Sequence, residues 1–310
     1  MTALRLGTRK SALALAQSTL VADAIRSATG REVELVHVTT IGDVKRESLA
    51  SIGGTGVFVS ALRDALLTGE IDLAVHSLKD LPTTELPDLE LIAIPERADA
   101  RDALVARDGL TLESLPNGAT VGTGSPRRAA QLKAMRPDLD VVDIRGNVGT
   151  RIGLVESGRV DAVVLAKAGL QRLGRLDVIT ETIAPSVMLP APGQGALAVE
   201  VVRDLAGDDR HAPLRRLDDA ATRAAVTAER AVLSALEAGC SAPVGALGVV
   251  SELGFSEPEL TLEALVASPD GSSVVRMSTT APLHEADAAG RQLAARLLDS
   301  GVTATSREHL

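Results

Sequence analysis

Apolar residues follow two alternating spacings over the first two thirds of the chain, one typical of strands and one typical of helices. From Val57 to Leu66 they recur at helical intervals that end at Gly69, and the run 72–76 that follows predicts a strand. The same alternation predicts further strands at 4–6, 34–38, 119–121, 140–143 and 161–165, and further helices at 13–25, 126–135 and 148–157. Such alternation is typical of α/β units with mainly parallel strands.

The pattern changes after a stretch rich in proline and glycine. Residues 189–195 predict a crossing between domains, and the strand that follows, 196–200, could return to the first sheet. A long helix at 219–237, a turn, three strands and a final helix at 284–299 then predict a small α+β module. We therefore expect an α/β protein with two similar lobes around a cleft and a smaller α+β domain. The expected domains are residues 1–98 with 196–215, residues 99–195, and residues 216–310.

Composition excludes several classes of protein. The chain has 310 residues, of which 45% are hydrophobic, enough for two or three globular cores. A net charge of -9, and aromatic residues limited to Phe58 and Phe255, argue against nucleic acid binding. No apolar run approaches the length of a membrane span, and the first residues lack the layout of a signal peptide, so we expect a cytoplasmic protein.

Cys240 is the only cysteine, and it lies in a turn between Gly239 and Pro243. A single thiol cannot form an intrachain disulfide or supply a cysteine-rich metal site. It is therefore a nucleophile, an attachment point, or a small buried hydrophobic residue. The five histidines show no metal-ligand spacing, so we expect no metal.

Several basic residues lie where predicted strands end and turns begin. They are Arg9, Lys10, Lys79, Arg127, Arg128, Arg145, Arg151 and Arg172. Ser125 and Pro126 suit the start of a helix, whose free N–H groups bind anions. Two arginines in the first turn are unfavourable beside the positive end of the helix dipole unless a negative ligand is present. The alternative interpretation is a capped surface helix whose arginines are solvated.

The segment 145–151 repeats this arrangement after the next strand. Both junctions should open onto one edge of a sheet, and arginine forks there suit a ligand with several carboxylates.

Asp80 is the best acid/base candidate of the chain, because it ends a strand beside Lys79. The alternative is an aspartate that starts the turn before Pro82. We interpret His76 as a packed strand residue. The glycine-rich segment 53–56 lacks the ending of a nucleotide-binding loop and is interpreted as a mobile loop at the mouth of the cleft.

Taken together, these segments closely resemble the porphobilinogen deaminase (hydroxymethylbilane synthase) family. The matching segments, in order, are 8–11 with Leu15 and Gln17, 75–82, 122–128 with Leu132, 145–147 with 150–151, 168–174, 192–196 and 239–240. The resemblance implies two periplasmic-binding-protein-like lobes and a transferase of tetrapyrrole and haem biosynthesis. Such an enzyme joins four porphobilinogen molecules head to tail with release of ammonia, and then hydrolyses the chain to hydroxymethylbilane.

The resemblance also implies roles for individual residues. Cys240 would hold one covalent dipyrromethane cofactor through a thioether, and Asp80 would be catalytic. The other cofactor-binding residues would be Ser77, Lys79, Thr123, Ser125, Arg127, Arg128, Arg145 and Gly146. The substrate-binding residues would be Arg9, Gln17, Phe58, Arg151, Arg172 and Gln194. A monomer is implied, with no nucleic acid or membrane partner, whose product passes to uroporphyrinogen III synthase.

Some positions depart from the family pattern. Ser51 and Thr55 stand where lysines are common, Lys167 stands where a small or apolar residue is common, and Arg203 is displaced by one position after Glu200. We therefore assign no substrate role to Arg203.

Two other classes of protein compete with this interpretation. A non-catalytic solute-binding module for a polycarboxylate would share the two lobes, with a structural Cys240. A transcriptional regulator is disfavoured, since no DNA-reading segment is evident.

Overall fold

The computed structural model describes residues 3–38, 56–237, 242–251 and 257–301, with the backbone alone for 56–58. It divides into two compact units. The first is Met1–Ala98 with Ala196–Arg223, and the second is Asp99–Gly195 with Ala224–Leu310.

The described residues form thirteen strands and seven α-helices. The strands are β1 (Leu4–Thr8), β2 (Val33–His37), β3 (Leu73–Ser77), β4 (Leu89–Ala93), β5 (Asp102–Ala106), β6 (Thr120–Gly122), β7 (Asp140–Val142), β8 (Ala162–Ala166), β9 (Glu181–Thr182), β10 (Leu197–Val202), β11 (Val244–Ser251), β12 (Glu259–Ala267) and β13 (Val274–Pro282). The helices are α1 (Ala12–Thr29), α2 (Gly56–Leu67), α3 (Pro126–Met135), α4 (Val148–Glu156), α5 (Lys167–Arg172), α6 (Ala220–Ala235) and α7 (Ala286–Asp299).

The first unit contains a sheet of order β2-β1-β3-β10-β4. Strand β1 is parallel to β2 and β3, whereas β10 is antiparallel to β3 and β4. The apolar face of α1 packs on this sheet, with Val21 and Ile25 buried among residues such as Leu6 and Leu73. Because β1 and β3 are parallel, their carboxyl ends, and the turns that follow them, lie at one edge of the sheet.

The second unit contains a sheet of order β7-β6-β8-β5-β9. Here β6 is parallel to β7 and β8, and β5 is antiparallel to β8 and β9. Helix α3 follows β6 and helix α4 follows β7, so both helices begin at the same edge. The core of this unit consists of two clusters of buried apolar residues. Leu132 of α3 is fully buried in the cluster that contains Val121 of β6, and Ile152 of α4 is buried in the cluster that contains Val163 of β8.

The second unit also contains an antiparallel sheet of order β11-β12-β13. Leu293 and Leu297 of α7 bury their side chains in the same core as Val232 of α6 and Leu262 of β12. Gly290 is required here, because a Cβ at this position would lie 2.3 Å from the carbonyl oxygen of Ala228.

The predicted fold class is confirmed, since two α/β sheets of one strand order are followed by a smaller α+β part. The expectation of mainly parallel strands is confirmed, since four of the five strands in each α/β sheet point the same way; the exceptions, β10 and β5, run antiparallel to both of their neighbours. Strand 196–200 does return to the first sheet, as β10. Strands β4, β5 and β9 were not predicted; all three are short and lie among the turns that the sequence pattern treats as connections.

Candidate functional site

Asp80 lies in a turn at the end of β3. A 3₁₀ turn, Leu78–Asp80, follows Ser77 directly, and the fully buried Leu78 anchors it. Asp80 is half-buried and lines a pocket of the first unit. The other residues that line this pocket are Arg9, Ala14, Gln17, Val59, Leu62, Val75, His76 and Ser77.

Two predicted substrate-binding residues reach this pocket from the junction of β1 and α1. Ser11 caps α1, where its Oγ accepts a hydrogen bond from the Ala14 N–H at 3.2 Å. The cap fixes the direction of the helix, so Arg9 before it and Gln17 within it line the pocket with Asp80. The structure thus brings Arg9, Gln17, Ser77 and Asp80 together, and Lys79 lies half-buried on the same turn.

The second unit carries the predicted anion site at the start of α3. Pro126 is the first helical residue and Ser125 stands at the N-cap position, as predicted. However, the Ser125 side chain makes no capping bond within the described residues; instead its N–H donates to the Thr123 Oγ1 at 3.2 Å. Thr123 is itself buried.

Arg127 and Arg128 turn inward from this first helical turn. Their relative exposures are 3% and 5%, so the alternative of solvated arginines is wrong. Both contact Asp102, the first residue of β5, which has no exposed surface. Arg127 Nη1 lies 2.8 Å from Asp102 Oδ2, and Arg128 Nη2 donates to Asp102 Oδ1 at 2.8 Å. Arg128 Nη1 also donates to the carbonyl of Val164 at 2.9 Å.

Gln194 joins this group from the segment before β10. Its Nε2 donates to Asp102 Oδ1 at 2.8 Å and to the carbonyl of Ala100 at 2.7 Å. Next to it in the chain, the carbonyl of Gly195 accepts a hydrogen bond from Arg172 Nη2 at 2.6 Å. Two predicted substrate-binding residues are therefore fixed to the same short segment.

The second predicted junction is capped as well. Asn147 Oδ1 accepts from the Thr150 N–H at 2.8 Å and so begins α4. Arg151 Nε donates to the carbonyl of Gly146 at 2.9 Å, and Gly146 has a φ of 113°, which favours glycine. Arg145 is exposed and pairs with Asp143 at 3.1 Å.

Two protein-family models match the sequence of this chain. The model described as "Porphobilinogen deaminase, dipyromethane cofactor binding domain" matches residues 4–209, and "Porphobilinogen deaminase, C-terminal domain" matches residues 223–299. The chain belongs to the porphobilinogen deaminase family.

Curated members of the porphobilinogen deaminase family match over nearly the full length. Porphobilinogen deaminase 1 of Streptomyces avermitilis is 58% identical over 322 residues, which cover 99% of this chain and 99% of that protein. Porphobilinogen deaminase 1 of Streptomyces coelicolor is 59% identical, and covers 96% of each chain. Among solved structures, a periplasmic substrate-binding protein of an ABC transporter from Coxiella burnetii aligns over 69% of this chain and 91% of its own, at 15% identity and a TM-score of 0.43.

The Asp102 cluster, defined by Asp102, Arg127, Arg128 and Gln194, carries an excess of positive charge. Burial raises the pKa of Asp102, but the charges of Arg127 and Arg128 outweigh it and hold that pKa well below its usual range. One carboxylate therefore faces two guanidinium groups, and burial lowers the pKa of Arg127. Arg127 Nε is buried without a hydrogen-bond partner among the described residues. Such an excess fits a porphobilinogen deaminase, whose dipyrromethane cofactor carries several carboxylates.

Two further arginines of the second unit show the same lack of compensation. Burial lowers the pKa of Arg172 to about 10. Burial, and then the charge of Arg128, lower the pKa of Arg151. By contrast, the side-chain hydrogen bond to Asp99 raises the pKa of Arg101, as is usual for a paired arginine. Of the arginines that the family resemblance assigns to ligands, Arg127, Arg151 and Arg172 are thus left under-compensated by their own unit, whereas Arg145 has Asp143 as its partner.

The remaining residues singled out from the sequence either lie outside the described residues or contact other residues of their own unit. Cys240, Ser51 and Thr55 lie outside the described residues, as does the side chain of Phe58. Lys167 pairs with Asp99 at 3.0 Å. Arg203 donates to the carbonyls of Pro87 and Leu89, which accords with assigning it no substrate role.

The sequence interpretation missed two buried carboxylates, Asp102 and Glu200. Glu200 interrupts an otherwise apolar strand and Asp102 begins one, and a charge in such a strand is the signal that could have identified them. No cluster of three or more potential metal ligands occurs in the described parts of the chain. Within those same parts, no helix combines the length and apolarity needed to cross a membrane.

Proposed function

We propose that this chain is a transferase that joins four porphobilinogen molecules head to tail, releases ammonia at each step, and hydrolyses the product to hydroxymethylbilane. The observation that carries the proposal is the match of porphobilinogen deaminase domains to residues 4–209 and 223–299. The activity belongs to tetrapyrrole and haem biosynthesis. No observation favours the alternative of a non-catalytic solute-binding module.

Cys240 is proposed to hold the dipyrromethane through a thioether. It is the only thiol of the chain, so no second cysteine competes for the reactive pyrrole. When bound, the dipyrromethane supplies the pyrrole carbon to which the first substrate is joined.

The arginines of the second unit are proposed to bind the carboxylates of cofactor and growing chain. Each pyrrole ring carries an acetate and a propionate, so negative charge accumulates as the chain lengthens. Arg127, Arg128 and Arg151 would neutralise that charge, and the excess positive charge around Asp102 supports this role. Arg145 and Arg172 would add to it, with Ser77, Lys79, Thr123, Ser125, Gly146 and Gln194 supplying further donors.

Asp80 is proposed as the catalytic residue. Its carboxylate would accept hydrogen bonds from pyrrole N–H groups and stabilise the positive charge that develops on the substrate as ammonia leaves. Its place in a pocket with Arg9 and Gln17 supports this role, because an arginine there can hold a substrate carboxylate while Asp80 faces the ring nitrogen.

Finer properties are proposed from the family alone. We infer a cytoplasmic monomer with the three domains given above, which binds neither nucleic acid nor membrane and passes its product to uroporphyrinogen III synthase.

Intact mass of the denatured protein tests the cofactor assignment. Protein made in a tetrapyrrole-producing host should carry an added mass equal to two linked pyrrole units, and Cys240→Ser should lack both the added mass and turnover. An unmodified wild-type chain with full activity would contradict the attachment.

Arg128→Met tests the anion site. Loss of one buried guanidinium should prevent retention of the cofactor, read as loss of the added mass. The matched control is Arg291→Met, whose exposed guanidinium pairs with Asp287 on α7 and should leave the added mass unchanged. Full cofactor retention in Arg128→Met would remove this residue from the site.

Asp80→Asn separates catalysis from cofactor binding. The variant should keep the added mass but lose turnover by about 100-fold or more, because an amide cannot balance a developing positive charge. Near-normal turnover would exclude Asp80 from the mechanism.

A further inference from the structure

Gln131 is a buried amide on α3 that the proposed function does not use. Its relative exposure is 3%, and it lies one helical turn after Arg127. The amide binds the backbone of Leu189 at both of its polar groups. Oε1 accepts from the Leu189 N–H at 2.8 Å, and Nε2 donates to the Leu189 carbonyl at 3.1 Å. Because Leu189 is fully buried beside Ala130 of the same helix, Gln131 holds α3 and the segment 189–195 together.

The partners of Gln131 require an amide. Nε2 also donates to the Arg127 carbonyl at 3.3 Å, so its two hydrogens meet two carbonyl oxygens. Oε1 meets an N–H group, which only an acceptor can satisfy. A carboxylate at this position would have no hydrogen for either carbonyl, and an apolar side chain would have no partner for any of the three backbone groups.

The Leu189 carbonyl that Gln131 binds is also the hydrogen-bond partner of Arg127. Arg127 Nη1 donates to this carbonyl at 2.6 Å and lies 2.8 Å from Asp102 Oδ2. The carbonyl and Asp102 therefore set the direction of the guanidinium, while Gln131 sets the position of the carbonyl. Arg127 Nε is buried without a hydrogen-bond partner among the described residues, so these contacts do not satisfy the whole guanidinium group.

The lack of charge on Gln131 preserves the excess positive charge of the Asp102 cluster. That cluster sets one carboxylate against the two buried guanidinium groups of Arg127 and Arg128. A glutamate at position 131 would place a second carboxylate beside the carbonyl that Arg127 binds, and the charges would then balance two to two. Since opposite charges attract strongly where water is excluded, this carboxylate would compete with those of a ligand.

We propose that Gln131 is a positioning residue of the anion site. Through the Leu189 carbonyl it fixes the direction of the Arg127 guanidinium, and because it is neutral it leaves the charge of that guanidinium to the carboxylates of the dipyrromethane. Gln131 touches no ligand in this scheme and acts through Arg127. The inference deepens the proposed function and rests on it, since it reserves the charge of Arg127 for a ligand with several carboxylates.

Assembly of the cofactor measures this role without turnover by the loaded enzyme. The full chain, made in a host that lacks porphobilinogen, is mixed with porphobilinogen at increasing concentrations, and intact mass follows the gain of two linked pyrrole units. Gln131→Met keeps the length of the side chain but loses its hydrogen bonds. It should need about tenfold more porphobilinogen for half-maximal assembly than the wild type, as for one lost hydrogen bond to a charged group. Gln292→Met, at an exposed position of α7, is the matched control and should assemble like the wild type.

Gln131→Glu separates positioning from packing. Its carboxylate can still accept from the Leu189 N–H and can pair with Arg127, so this variant should be more stable to urea than Gln131→Met. It should nevertheless need about tenfold more porphobilinogen than Gln131→Met, because the added charge competes with the ligand. A purely structural role would make the more stable variant assemble better. Wild-type assembly in either variant, or better assembly by Gln131→Glu than by Gln131→Met, would overturn the proposal.

These outcomes are separable from those of the proposed function. A wild-type chain that gains no mass from porphobilinogen would contradict the proposed attachment of the cofactor, and this inference with it. A wild-type chain that gains the mass, together with variants that match it at every concentration, would contradict this inference alone.

Discussion

The α/β sheets of the two units have the same order and direction of strands, and each carries one buried carboxylate on its antiparallel strand. The two carboxylates lie at different distances from the edge at which the parallel strands end. In order and direction, β2-β1-β3-β10-β4 of the first sheet corresponds to β7-β6-β8-β5-β9 of the second. Glu200 lies on β10 and Asp102 lies on its counterpart β5. Glu200 pairs with Ala74, near the start of β3, whereas Asp102 pairs with Ala166, the last residue of β8.

This difference in depth decides what each carboxylate contacts. Asp102 lies at the edge where α3 begins, and so it meets two arginines from the first helical turn. Glu200 lies deeper in its sheet and meets one arginine and one histidine. The first sheet thus neutralises its buried carboxylate, while the second leaves a buried positive charge that a ligand can balance.

Asp102→Asn should have the largest effect on stability. The substitution leaves two buried guanidinium groups without a counter-charge. Breaking a buried ion pair lowers the free energy of unfolding by about 3–5 kcal/mol. Urea unfolding monitored by circular dichroism measures the loss. Asp287→Asn, which breaks an exposed pair on α7, should leave the unfolding midpoint unchanged. If the two variants unfolded alike, the Asp102 cluster would have no special role.

Glu200→Gln should cost less, about 1–3 kcal/mol, because it leaves only one buried cation and the amide oxygen can still accept from Arg63. The same urea titration applies. A loss equal to or greater than that of Asp102→Asn would reject the distinction between a balanced and an unbalanced cluster.

Acid should weaken both clusters through their carboxylates. The folded-state pKa values of Asp102 and Glu200 are lowered, so their stabilisation is present above the unfolded values of about 4 and is lost as pH falls through the folded values. The free energy of unfolding of the wild type should therefore fall as pH drops below about 4. Asp102→Asn should show a shallower fall, measured by urea titrations at successive pH values. Parallel curves would show that Asp102 does not release its charge on unfolding.

The caps of the corresponding helices should give the smallest difference. Ser11 caps α1 through its side chain, whereas Ser125 at the start of α3 forms no such bond within the described residues. Ser11→Ala should cost about 1 kcal/mol and Ser125→Ala much less. The comparison is best made in a Cys240→Ser background, where bound cofactor cannot stabilise α3. Equal losses would mean that Ser125 caps its helix in solution.

Local patterns in the sequence predicted the junctions of this fold well. Pro126 begins α3 and Asn147 caps α4 because proline and asparagine have backbone preferences that act within one turn. The antiparallel direction of β10 and β5 was not predictable in this way, since the periodicity of a strand is the same in either direction.

The buried clusters depend on contacts that no local pattern encodes. Arg127 could pair with any of 41 acidic residues, and its partner Asp102 is selected by the pairing of β5 with β8. What the sequence does show is a carboxylate directly before the apolar run Ala103 to Ala106. Such a charge predicts a buried partner without naming it.

The place of β10 in the first sheet has a consequence for how the chain folds during synthesis. This strand lies between β3 and β4, so β4 has no neighbour in its sheet until residue 202 has been made. The second α/β sheet, in contrast, has all of its strands once residue 182 has been made. As the chain emerges from the ribosome, the sheet of the second lobe can therefore be completed first. The sheet of the amino-terminal lobe is completed only after β10 has been made.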